Sequence, residues 1–339
     1  MILRPKPSPR RRSALPATAT VAPMTTVPNW LRGAAPDVQS LAGKGVEDVA
    51  IAAGAAIGAL DAVVRRHERW AGAWRQRLAL AAAAVTARQA GRVEDEAALR
   101  DAVLLTRPGD GVGPAGLLLL AWRRLADRPV EGLLTEANLT AVWEEFGHAR
   151  DDEAVSDLAD ELRQLGSSVG TVGVLTGAFT AAERHGFGRI LGSWLADALL
   201  AQRLGWSHAV PLLGTEAALA VYAGQSRRTG TSTATSETEP DRAKSLLAAQ
   251  ARAALRAIDL VADVGRRADQ LLVIAPKLRA KGADAVVDRL LNEDALVASR
   301  GEQKTGMSDR GLRRLFDRLV ELGAVRELSG RPSFRIYGL

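Results

Sequence analysis

Apolar residues recur at helical spacing along most of the chain. From Val46 to Arg66 they are small and occur on most faces, which predicts a buried helix. Trp70, Trp74, Leu78 and Val85 fall near one face of a second helix, Trp70–Gln89. A third runs from Glu94 to Leu105. It starts with Glu94, Asp95 and Glu96, where the helix dipole favours negative charge. Pro108–Gly113 reads as a loop. Pro114 then opens a helix to Leu125, at a position where the missing N–H costs nothing. Thr135 is expected to cap a helix that ends at Phe146. Asp151–Leu165 sets Val155, Leu158, Leu162 and Leu165 in register, and Val169–His185 and Ile190–Arg203 follow. Asp241–Ala275 reads as one long helix stopped by Pro276. No run alternates as a buried strand should before residue 324.

The pattern changes after residue 276. Ala283–Asn292 is a helix with Val286, Val287, Leu290 and Leu291 inward. Ser299 and Glu302 match a capping box opening a short second helix, which Gly306 can end in the left-handed conformation. Ser308 caps a third helix to Leu322 with a stripe of Leu312, Leu315, Phe316, Leu319 and Leu322. Beyond Gly323, the runs AVREL and SFRIY flank SGRP as a hairpin. Helix, helix-turn-helix, hairpin is the winged-helix order. The expected fold is therefore mainly α: a multi-helix bundle over residues 37–276, then a winged helix-turn-helix with a short β-hairpin over 277–339. The Thr/Ser-rich stretch 224–240 is expected to be a flexible insertion, and residues 1–36 a disordered basic tail. Met24 offers an alternative start.

Composition narrows this further. Of 339 residues, 47% are apolar but only 4% aromatic, so the core must be mostly Ala, Leu and Val. Cysteine is absent, which removes disulfides and thiolate metal sites and suits a reducing cytoplasm, the expected location. The net charge of +6 is uneven. Residues 1–36 carry six basic groups, including Arg32, and no acid; residues 277–339 carry 13 basic against 9 acidic. Basic ends on an acidic middle suggest a polyanion partner, although a solvated surface is the plainer reading of the tail. The longest apolar run, Val49–Leu60, is too short to span a membrane.

In the third helix of the C-terminal module, Arg310, Arg313 and Arg314 cluster in the N-terminal half, the part that enters the major groove in such motifs. Ser308 stands at its start, and the hairpin adds Arg326, Arg331 and Arg335, which can reach phosphates. Asp317 and Glu321 on the same helix oppose DNA.

The segment MSDRGLRRLFDRLVELGAVRELSGRPSFRIYGL resembles the C-terminus of the bacterial proteins classed as domain of unknown function 1403. WAGAWRQRLAL, EDEAALRDAVLLTRPGDGVGPAGLLLLAWRRLA and APKLRAKGADAVVDRLL are similar to further segments of that family, so the resemblance spans roughly residues 27–339 in patches. It implies an architecture rather than an activity. Where the family's second short helix has small residues, this chain has Gly301, Glu302, Gln303 and Lys304. The tail is also similar to the winged helices that end many Fic-domain proteins. RPGDGVGPAGLLLL has a shape loosely like the Fic loop, but Arg107 stands at the place of the catalytic His. Val112 replaces the Asn, and Pro114 and Leu117 the two Arg. The base and the phosphate-binding groups of that chemistry are thus missing.

Gly111–Gly116 matches GxGxxG, yet Arg107–Asp110 precedes it rather than a strand, so a tight loop is the better reading than a dinucleotide site. His67, His148, His185 and His208 show no metal-ligand spacing. No cofactor, metal or catalytic residue is expected. The best small-ligand candidate is the loop at 107–116, with Arg100, Asp101, Arg107 and Asp110. The expectation is a non-enzymatic DNA-binding accessory or regulatory protein. Duplex DNA is its partner, a protein partner or homodimer is open, and membranes are excluded. The alternatives are a ligand-binding or inactive Fic-like protein using the 107–116 loop, and an interaction scaffold without DNA contact.

Overall fold

The computed structural model describes residues 27–37, 39–107, 109–168, 170–216, 239–298 and 306–339. Among these the protein is mainly helical, with twelve α-helices and three short strands. The helices are Asn29–Ala34 (α1), Val46–Val64 (α2), Ala71–Gln89 (α3), Glu96–Leu104 (α4), Gly113–Asp127 (α5), Glu136–Glu145 (α6), Asp152–Ser168 (α7), Thr171–Arg184 (α8), Gly188–Leu204 (α9), Glu239–Ile274 (α10), Ala283–Asn292 (α11) and Asp309–Glu321 (α12). The strands are Leu296–Val297 (β1), Arg326–Glu327 (β2) and Ile336–Gly338 (β3).

The helix ends follow local chemistry. Asp95 caps α4 by accepting from the Ala98 N–H at 2.9 Å, and Asp151 caps α7 through Ala154 at 3.0 Å. Pro114 sits in the first turn of α5, where its ring is tolerated. Thr135 precedes α6 as expected, but its hydroxyl donates to the Gly132 carbonyl at 3.0 Å instead of capping. The long helix α10 ends at Ile274, and Pro276 lies in a short 3-10 turn, Ala275–Lys277, that follows it.

Small side chains let the helices approach closely. The 36-residue α10, roughly 54 Å long at the helical rise, lies against α2, whose Ala52, Ala53, Ala56 and Leu60 are buried. Helices α3 and α5 pair, as do α8 and α9. Tryptophans fill the gaps, and five of the buried indoles, those of Trp74, Trp122, Trp143, Trp194 and Trp206, donate their N–H to an acceptor. Trp122 donates to Thr86 at 2.9 Å, Trp194 to the Ala121 carbonyl at 3.0 Å and Trp74 to the Ala257 carbonyl at 2.9 Å. Gly214 packs against the Trp122 ring so closely that an added Cβ would collide with it.

Two expectations are corrected. Residues 29–36 are not tail: α1 folds onto α2, Leu31 is buried, and Arg32 pairs with Asp259 of α10 at 3.0 Å. A strand also precedes residue 324. β1 pairs antiparallel with β3 in a sheet of order β1-β3-β2. Residues 1–26, most of the 224–240 stretch and the Ser299–Glu302 capping box, with Gly301, Gln303 and Lys304, lie outside the described residues. Within the stretch, α10 begins at Glu239.

No helix among the described residues is long and apolar enough to cross a membrane.

Candidate nucleic-acid interface

Helix α12 starts at Ser308, whose hydroxyl accepts the Gly311 N–H at 3.3 Å. Its buried face is Leu312, Leu315, Phe316 and Leu319, four of the five residues expected from spacing; Leu322 follows the last turn and is half-buried. Phe316 is fully buried and stacks on Tyr337 of β3, with ring centroids 4.4 Å apart and planes 3° from parallel. That contact locks the helix to the sheet and turns the opposite face to solvent.

Arg310, Arg313 and Arg314 all lie on the exposed face. Among the described residues none of the three has an ion-pair partner. Two of the helix's three acids are engaged away from them: Arg318 takes Glu321 at 3.0 Å, and Asp317 faces Arg335 of the hairpin at 3.9 Å. A cleft of about 330 Å3 opens between α12 and the hairpin, walled by Arg313, Asp317, Phe334, Arg335 and Tyr337 among others. Burial raises the Tyr337 hydroxyl pKa, against a hydrogen bond with Arg335.

The hairpin turn is internally braced. Glu327 accepts from the N–H of Ser329 at 2.7 Å and of Gly330 at 3.1 Å. Phe334 adopts φ +53, the left-handed region rare for an aromatic residue, and its ring is 66% exposed.

The other arginines singled out by the sequence are placed differently. Arg331 donates to both oxygens of Asp101 on α4, at 2.6 Å each, so its fork is occupied within the protein. Arg326 stands at the base of the hairpin beside Asp263 and Arg267 of α10, and shares no cleft with Arg313 and Arg335. The six cations expected to act together divide into four at the α12–hairpin face and two elsewhere.

The candidate ligand loop also separates. Arg100 is buried and donates to Asp294 at 2.6 Å and 3.2 Å, while Asp101 holds Arg331. Arg107 and Asp110 meet only through the backbone, the Asp110 N–H donating to the Arg107 carbonyl at 3.0 Å. The four residues therefore do not line one site. The loop closes as a tight turn, and α4 is a docking helix for the C-terminal segment.

Asp294, between α11 and β1, is the centre of that docking and was not singled out by the sequence. It is almost fully buried and accepts from Arg77 of α3 as well as from Arg100. Burial alone would raise its pKa, but Arg77, Arg100 and Arg123 outweigh it and hold the carboxyl below its usual range. Gly72 of α3 lies against α11 so closely that a Cβ there would be 2.7 Å from the Asn292 Cα. His67 and His208 meet at one small cleft beside Trp70 and Trp74, but no group of three metal-ligating side chains assembles among the described residues.

The architecture is that of a mainly helical protein with a C-terminal three-stranded module docked on its α3–α4 surface. The chain belongs to the family described as protein of unknown function DUF1403, whose model matches residues 16–339. A search of curated proteins found no match.

Proposed function

We propose that the protein is a DNA-binding accessory or regulatory factor in which residues 277–339 act as a winged helix. α12 is the recognition helix and the β2–β3 hairpin the wing. The helical body serves a partner, a second copy or a ligand. The observation that carries this reading is the solvent-facing trio Arg310, Arg313 and Arg314, unpaired among the described residues, on a helix whose other face is anchored by Phe316. Strand order β1-β3-β2 around such a helix suits a winged helix, as does the likeness of the tail to those of Fic-domain proteins. That likeness does not extend to Fic chemistry, because Arg107, Val112, Pro114 and Leu117 replace the functional groups.

Phosphate contacts release counterions from DNA, so each one lost should flatten the salt dependence of affinity by about 0.9 in the log–log slope. Arg335→Ala should weaken binding to all duplexes alike. Arg314→Ala should also relax preference at one base position, at about 1–3 kcal/mol. The test is duplex affinity of wild type, Arg310→Ala, Arg314→Ala and Arg335→Ala at several salt concentrations. Unchanged affinity and slope in all three variants would show that α12 does not meet DNA and would leave it as a protein-contact face.

A further inference from the structure

A second cleft, of about 340 Å3, lies where the base of the hairpin meets α10, walled by Asp263, Arg266, Arg267, Gln270 and Arg326 among others. Its three guanidiniums face a single carboxylate. Asp263 Oδ1 accepts from Arg266 at 3.3 Å and from Arg267 at 3.1 Å, so one acid is shared by two cations. The Nη1 of Arg267 is buried and has no hydrogen-bond partner. Buried donors are rarely left unpaired, and a charged one is costly to leave so. Arg326 is exposed and has no ion-pair partner among the described residues. Burial and the nearby Arg267 lower the pKa of its guanidinium, with Arg77 and Arg100 adding to the repulsion. The nearby backbone donors are already taken, since the N–H groups of Ala324 and Val325 both point to the Leu319 carbonyl. What the cleft offers is therefore side-chain cation, in excess of its own acid by two charges.

We infer that this cleft binds the phosphate dianion of a small phosphorylated molecule, held by the exposed Arg326 and Arg266, with the charge of Arg267 behind them. A dianion matches the twofold charge excess, and guanidinium forks match its oxygens in pairs. A small molecule fits better than a nucleic-acid backbone. The cleft shares no wall residue with the one at α12, and Arg326 pairs with Gly338 at the base of the hairpin, away from its turn. The inference does not rest on the DNA reading.

The test titrates the full chain with inorganic phosphate and with glycerol phosphate at about pH 8, where the monoester is a dianion. Sodium chloride at equal ionic strength is the reference. Melting temperature and equilibrium dialysis of labelled phosphate are read together. A saturable, phosphate-specific rise is expected. Arg326→Ala and Arg266→Ala, both at exposed positions, should weaken it at least about tenfold, the loss of a charge-assisted contact. Arg310→Ala should leave it intact. The inference is overturned if chloride does as well, if Arg326→Ala binds like wild type, or if Arg310→Ala abolishes the effect. It also fails if duplex DNA displaces phosphate from wild type and loses affinity with Arg326→Ala, since the cleft would then hold a nucleic-acid backbone.

Discussion

Asp101 on α4 accepts both terminal nitrogens of Arg331 from the hairpin, each at 2.6 Å. The remaining bonds of the same guanidinium go to the Phe334 carbonyl, at 3.3 Å and 3.2 Å. One side chain thus ties the hairpin to the helical body and fixes the turn that presents the exposed Phe334 ring. Both partners are about one-third exposed, so the pair is discounted for solvent screening.

Arg331→Ala should cost about 0.5–1.5 kcal/mol in urea unfolding, with Asp101→Asn costing a similar amount and the double variant little more. If Arg331 does not leave Asp101, Arg331→Ala leaves the salt slope of any DNA binding unchanged. A slope reduced by about one unit, with no loss of stability, would mean that the pair opens on the complex.

Removing the buried carboxylate of Asp294 is expected to be severe. Asp294→Ala strands Arg77 and Arg100 in the interface, and breaking a buried pair from one side costs about 3–5 kcal/mol. Because the pKa of Asp294 is depressed in the folded state, its contribution is present at neutral pH and is lost as pH falls through that lowered value. Acid unfolding monitored by circular dichroism should show wild type and Asp294→Asn converging at low pH. A constant gap between them across the acid limb contradicts the assignment.

The longer helices were legible because a 3.6-residue period repeats within each one and needs no distant partner, whereas the six residues of α1 are too few to show it. The span of α11 matches residue for residue, and four of the five expected stripe residues of α12 are buried, Leu322 lying just past the helix end and half-buried. β1 was not legible: two residues cannot display an alternation, and only its pairing with β3 makes it a strand. Asp294 was hidden for a related reason. Its partners Arg77 and Arg100 lie 217 and 194 positions away, and Asn292-Glu293-Asp294 reads as an ordinary polar helix end. The apolar Ala295–Ala298 run directly after it was the available signal, since an acid entering a buried run needs a cation. At the candidate interface, spacing gave the face of Arg310, Arg313 and Arg314, but nothing local could tell that Arg331 is held by Asp101 or that Arg326 turns to α10.

Phe316→Ala should cost about 3–5 kcal/mol, the usual range for emptying a fully buried aromatic site. It also removes the stack on Tyr337, so the near-ultraviolet signal of Tyr337 should weaken with it. A cost below about 1 kcal/mol would mean that α12 is not anchored as described.

Asp197 of α9 supplies the opposite pH dependence to Asp294. Its carboxylate is fully buried and receives the N–H of Leu212 at 2.7 Å and of Leu213 at 3.0 Å, holding the 3-10 turn Leu213–Thr215 that carries Gly214 onto Trp122. Burial raises its pKa from the ordinary 3.8 to about 8, against the pull of the backbone donors. The sign follows from proton counting. Between those two values the folded state holds a proton that the unfolded state has released, so stability falls as pH rises across that window and levels off beyond it. Asp197→Asn carries no titrating proton and keeps an oxygen to accept the same N–H groups. It should therefore lose the slope, on the order of 1 kcal/mol per pH unit, and gain on wild type as pH rises from about 5 to about 8. Urea unfolding of both proteins at three or more pH values measures it. Parallel pH profiles would show that the backbone donors keep Asp197 ionised in the folded state, with its role purely that of an anchor for the turn.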